Sequence, residues 1–165
     1  MAADGCERWV RGTTRHLIDL ARHGDTDGAA LALAELVNGP EAGKFVLRTV
    51  LAELTSASAR MLSAGAGGDP EETAFRVEIR GDADNVVPID ELDPPLRAAV
   101  RALLAQLNGS PEDAEYQLDL TFREKDPVAA MTVLVHALLW TADLYDSCEQ
   151  AGVPTPEWLH DASAR

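Results

Sequence analysis

The sequence predicts a mainly helical α+β protein, a bundle-like helical core carrying a small sheet of two or three strands. Three observations carry this. Apolar residues recur at helical spacing through most of the chain. The period changes to two in two short segments. Gly, Pro and Asn punctuate the boundaries between them.

The first helix is expected over Thr13–His23, capped by Thr13 or Thr14 and stopped by Gly24. Asp25 or Asp27 caps a second, Gly28–Val37, which ends at Asn38-Gly39. Pro40 suits the first turn of a third, Pro40–Ser63, because its missing N–H costs nothing there. Leu47, Val50, Leu54, Ala57 and Met61 repeat along that helix at alternating steps of three and four. This gives one apolar stripe for a neighbour.

Ala64–Glu72 is rich in glycine and reads as a connection. It divides the chain into a helical half, 1–64, a flexible link, 65–73, and a strand-and-helix half, 74–165, within one domain overall. After it, Phe75, Val77 and Ile79 alternate with Arg76, Glu78 and Arg80, the mark of a half-buried strand. Gly81–Asn85 is a turn. Val86, Val87 and Ile89 form a return strand, placed at an edge by Pro88.

Asp93 caps the next helix, with Leu96, Ala99, Val100, Leu103, Leu104 and Leu107 on one face and Asn108-Gly109 at its end. Tyr116, Leu118, Leu120 and Phe122 alternate with polar residues and predict a further strand. A helix nucleated at Ser110-Pro111-Glu112 is the alternative. Two real strands around the Asp93 helix would make a β–α–β-like crossover. Asp126 and Pro127 open the last long helix, Pro127–Ala151, expected at the centre of the core. Trp158 and Leu159 dock a final turn.

A chain of 165 residues buries roughly 70% of its unfolded surface, so it needs neither metal nor disulfide to hold a core. Cys6 and Cys148 stand alone, far apart in sequence, and form no framework. The start, MAADGCERWV, has no apolar signal core, and a cytoplasmic location is expected. The apolar run Val128–Ala142 is too short to span a bilayer, so no membrane is expected. Arginine outnumbers lysine 12 to 2, a bias associated with GC-rich bacterial genomes.

Charge is the global oddity. The net charge is −14, and residues 1–24 are slightly basic, so the remainder carries the whole excess. Such a surface repels nucleic acid and anionic lipid and suits a basic protein partner. The run Asp69–Asp93 concentrates nine carboxylates, among them Glu71, Glu72, Asp82, Asp84, Asp90 and Glu91, and is the candidate acidic partner face.

Motifs for chemistry are weak. Thr132, His136, Asp143 and Ser147 share one stripe of the Pro127–Ala151 helix. His136 and Asp143 are separated by about 10 Å of helical rise, beyond hydrogen-bond reach, with Trp140 between them. His16, Asp19 and His23 share a face of the first helix at spacings of three and four, a weak metal pattern. His23–Gly28 half-resembles a calcium loop but lacks the opening aspartate and has Ala34 where the bidentate glutamate belongs. No phosphate loop, nucleophile elbow or catalytic cysteine signature is present.

The expectation is a non-enzymatic acidic protein, an adaptor, assembly factor or regulator, that binds another protein or a second copy of itself. No cofactor or metal is expected. One alternative is a small-ligand protein or enzyme whose pocket runs along Thr132, His136, Trp140 and Asp143 against the helix of His16, Asp19 and His23. Another is a nucleic-acid mimic seated on a basic protein.

Overall fold

The computed structural model describes residues 2–38, 44–67, 74–123 and 126–160. Among these residues the chain forms seven helices and one two-stranded antiparallel sheet. The mainly helical α+β class is therefore observed.

Helix α1 covers Ala2–Arg22 and starts upstream of the expected threonine cap. The reason is a longer stripe than Leu17 and Ile18 alone. Val10, Thr14, Leu17 and Ile18 fall on one face and are all buried. Thr14 donates its hydroxyl to the Val10 carbonyl at 2.8 Å, bonding within the helix rather than capping it. Gly24, with φ of +72°, takes the left-handed conformation that ends the helix. Asp25 then accepts the Gly28 N–H at 2.8 Å and caps α2, Thr26–Asn38.

Helix α3, Lys44–Ala66, is the hub. It packs on α1, α2, α4, α5 and α6. Its expected stripe of Leu47, Val50, Leu54, Ala57 and Met61 is buried throughout. Pro40, Gly68, and Glu71 and Glu72 of the expected acidic face lie outside the described residues.

The period-two segment holds its alternation. Phe75, Val77 and Ile79 are half-buried while Arg76, Glu78 and Arg80 are exposed. Only its end is paired, however. β1, Ile79–Arg80, meets β2, Val86–Val87, in the register Ile79↔Val87 and Arg80↔Val86. The next position on the return strand is Pro88, which has no N–H, and Ile89–Glu91 turns into a 3-10 helix. The ladder stops there.

Helix α4, Pro94–Leu107, is followed by α5, Pro111–Thr121, so the strand expected over 116–123 does not form. Local helix signals outweigh the alternation. Pro111 occupies the first turn, Glu112 and Asp113 face the positive helix end, and Ala114, Leu118, Thr121 and Phe122 make a buried stripe of period 3.6. Tyr116, which the strand reading turned inward with Leu118, is 57% exposed. Arg48 of α3 clamps two successive turns of α5, pairing with Glu115 and, at 2.6 Å, with Asp119. Without this strand there is no crossover, and α4 and α5 pack as a helical hairpin.

Helix α6, Pro127–Ala151, is capped by Asp126, whose carboxylate accepts the Val128 N–H at 3.0 Å, and ends at left-handed Gly152. It packs on α1, α3 and α4. It is long and apolar enough to cross a membrane by length and composition, yet Leu134, Leu138, Thr141 and Ala142 are buried inside the helical assembly. The turn α7, Glu157–His160, docks Leu159 into the same core. Residues of both halves of the chain belong to one buried cluster, from Val10 to Leu159.

Candidate functional site

Three helices and the extended segment enclose a groove of about 720 Å³. Leu51, Leu54 and Ser58 of α3 form its floor, Leu96, Leu103 and Leu107 of α4 one wall, and Trp140 and Leu144 of α6 the other. Residues 75–82 and Val87 run along its mouth. This is why the long stripe of α4 is only partly buried: its leucines face a hollow rather than a neighbour.

The seam between α3 and α6 crosses the floor. Thr141 spends its single hydroxyl proton on the Ala137 carbonyl at 2.7 Å. It can therefore only accept from Ser58, whose oxygen lies 2.9 Å away in a buried hydrogen bond.

His136, Trp140 and Asp143 all line the groove. Their chemistry is mostly committed to their own helix. The His136 ring sits 2.8 Å from the Thr132 carbonyl through Nδ1. A carbonyl only accepts, so Nδ1 carries a proton and Nε2 faces away. Thr132 donates to the Val128 carbonyl at 2.9 Å and Ser147 to that of Asp143 at 2.9 Å. Such back-bonding satisfies short polar side chains within a helix. The ring of Trp140 meets His136 edge-on, with centroids 5.7 Å apart. No hydrogen bond joins His136 to Asp143 among the described residues.

The structure keeps His16, Asp19 and His23 away from this groove. His23 donates to the Asp19 backbone carbonyl at 2.7 Å, His16 is exposed, and Asp19 lies 3.9 Å from Arg22. No group of three His, Cys, Asp or Glu side chains among the described residues is placed to hold a metal ion. In the calcium-like loop, Asp25 is folded back onto Gly28 as a cap and is not aimed at an ion site.

The acidic face is divided. Asp84 pairs with Arg80 at 3.4 Å and Asp90 with Arg101 at 2.8 Å. Asp82 and Glu91 are exposed and make no ion pair among the described residues.

A second polar cluster escaped sequence reasoning. Arg22 of α1 donates to Asp146 of α6 at 2.7 Å, and its guanidinium lies 4.3 Å from the centroid of the Tyr145 ring. The Tyr145 hydroxyl is 3.3 Å from His160 Nδ1, and Thr155 contacts the other ring nitrogen. Burial raises the Tyr145 phenol above its ordinary range, with Glu149 adding to the effect, and burial likewise raises the Cys148 thiol. This cluster ties α1, α6 and α7 together. No sequence pattern links residues so far apart in the chain.

One further feature belongs to the site. Val128, Val135, Leu139 and Trp140 of α6 are 71%, 39%, 44% and 36% exposed. They flank the polar stripe, so the uncovered face of α6 is wider than the narrow strip the sequence suggests. Comparison with protein families, with curated proteins and with solved structures gives no match to the chain.

Proposed function

We propose that this is a non-enzymatic protein that works by binding a partner protein through the outer face of α6 and the groove beside it. One observation carries the reading. From Pro127 to Ala142 the helix contains no Asp, Glu, Lys or Arg, although the chain has a net charge of −14, and four large apolar side chains of that stretch are exposed. An uncharged apolar face on a strongly charged molecule is the usual mark of a surface that another protein covers. The acidity elsewhere favours a basic partner, including a protein that binds nucleic acid.

The test is a comparison of wild type with Leu139→Glu in affinity capture from the source cells, with light scattering on the purified proteins. Wild type should retain a stoichiometric partner, or self-associate, and the variant should lose it while melting within about a degree or two of wild type. Identical retention and identical mass for both proteins would sink the proposal. Washing with rising salt separates the contributions: steep loss points to the acidic surface, persistence to the apolar face.

A second reading rests on the groove itself. Its volume falls in the range of small-ligand pockets, and its lining is largely apolar, with polar atoms at Ser58, His136 and Asp143 among others and the charged side chains of Arg76, Glu78, Arg80 and Asp82 along the extended segment. Native mass spectrometry of gently purified protein decides it: a bound apolar molecule, lost on Leu103→Trp, supports a ligand pocket.

A further inference from the structure

The segment Phe75–Arg80 is built as a strand but is paired as one over only two residues. Its burial alternates strictly, Phe75, Val77 and Ile79 half-buried and Arg76, Glu78 and Arg80 exposed, and all six residues line the groove. Phe75 is pinned at one end, its N–H donating to the Asn108 side-chain oxygen at 3.2 Å. At the other end the β2 ladder stops at Pro88. Between these anchors, the N–H and C=O groups of Arg76, Val77 and Glu78 have no hydrogen-bond partner among the described residues.

We infer that this edge receives an extended peptide segment of the partner by strand addition, with the peptide's alternate apolar side chains entering the groove. The inference rests on the proposed partner-binding reading and names the chemistry of the segment bound. Two features select a peptide. Free backbone donors and acceptors at every second residue of one edge, Arg76 and Glu78, are met by another backbone, which a small apolar molecule or a helix cannot supply. A strand laid beside Val77 also places every second side chain over the same hollow that Val77 and Ile79 face, because the pleat is shared. Six residues of extended chain span about 20 Å, ample for a short linear motif. Charge sets the flanks. Asp82 and Asp143 line the groove and Glu91 lies on the neighbouring turn, all three without an ion pair among the described residues, against Arg76 as the single arginine of the lining without one; the acidic balance favours a motif bordered by Lys or Arg.

The probe is a displayed library of short random peptides panned against the intact protein. The tightest binder is then resynthesised with N-methyl groups at odd or at even backbone positions. Strand addition requires one set to face the edge and the other to face away. N-methylation of the facing set should weaken binding about tenfold or more, and of the other set much less. The amides of Arg76 and Glu78, which by the pleat face away from β2, should exchange fast in the free protein and slow when the peptide is bound, while that of Val77, on the opposite edge, should change little. A library that enriches nothing overturns the inference. So do binding equally indifferent or equally sensitive to both N-methyl sets, and amides of Arg76 and Glu78 already protected in the free protein. A helical peptide that binds and is lost with Leu139→Glu would overturn strand addition while leaving the partner-binding reading intact. The N-methyl comparison alters only the peptide, so misfolding of a protein variant cannot mimic its result.

Discussion

Helices α3 and α6 look alike as sequence and behave differently in the fold. Both are long and apolar, and neither has a charged residue at the centre of its apolar stripe. Five neighbours pack on α3, and the stripe from Leu47 to Met61 is buried, leaving only Phe45 of its first turn as a large exposed apolar side chain among the described residues. α6 has α1, α3 and α4 on one side and leaves Val128, Val135 and Leu139 uncovered on the other. Apolar content measures what a helix can bury; its neighbours decide what it does bury. The surplus on α6 is unspent hydrophobic free energy, which a second surface can use.

The largest expected effect separates the two sides of α6 directly. Leu138 is buried and adjacent Leu139 is not. Leu138→Ala should cost about 2–5 kcal/mol, from lost burial and the cavity left behind. Leu139→Ala should change stability by about 0.5 kcal/mol or less. Leu54→Ala on α3 should resemble Leu138→Ala. Urea titration of all three measures it, and equal losses at 138 and 139 would mean that α6 is covered on both faces.

Much of this division was legible beforehand. The boundaries of α4 and α6 follow from Pro at the first helical position and a left-handed Gly just past the end, which act locally; Asp126 caps α6 with its carboxylate, whereas Asp93 precedes α4 without the expected side-chain capping bond. The hairpin followed from alternation and Pro88. The error at residues 116–123 is instructive because Leu118 satisfies both periods. What decides is Ala114 four residues earlier, which joins Leu118 only in a helix, and Arg48, which reaches Glu115 and Asp119 together only when they stack one turn apart. For the site, periodicity placed Thr132, His136, Asp143 and Ser147 on one stripe with Trp140 between them; His136, Trp140, Asp143 and Ser147 line the groove and Thr132 does not. It could not place His16, Asp19 and His23, because which face of α1 meets α6 depends on packing across the whole chain. The groove was illegible for the same reason: its floor, walls and mouth come from four separate segments.

An intermediate effect probes the seam where the two helices meet. Ser58 donates to Thr141 in a buried position, so Ser58→Ala leaves the Thr141 oxygen without that donor. The expected loss is about 1 kcal/mol. Thr141→Val alone should cost a similar amount, and the double variant less than the sum, because the two groups share one bond. A strictly additive double variant would show that the bond contributes nothing to holding α3 on α6.

The smallest effect concerns pH and belongs to the buried side of α6. Burial raises the Cys148 thiol above 9.0 and the Tyr145 phenol above 10.0. Around the phenol, Glu149, Asp19 and Asp146 push the same way and Arg22 opposes them. A group with a raised folded-state pKa holds its proton longer folded than unfolded. Its contribution to stability is complete below the unfolded value and is lost as pH rises toward the folded one. These two groups therefore leave the melting temperature untouched below about pH 9 and pull it down above, first through Cys148 and then through Tyr145. Tyr145→Phe removes the second part of that decline while keeping the ring under Arg22. Melting curves of wild type and Tyr145→Phe across the alkaline range test it. Parallel declines above pH 10 would mean that the phenol is as free to ionise folded as unfolded, and that the contact between α1 and α6 is open to water.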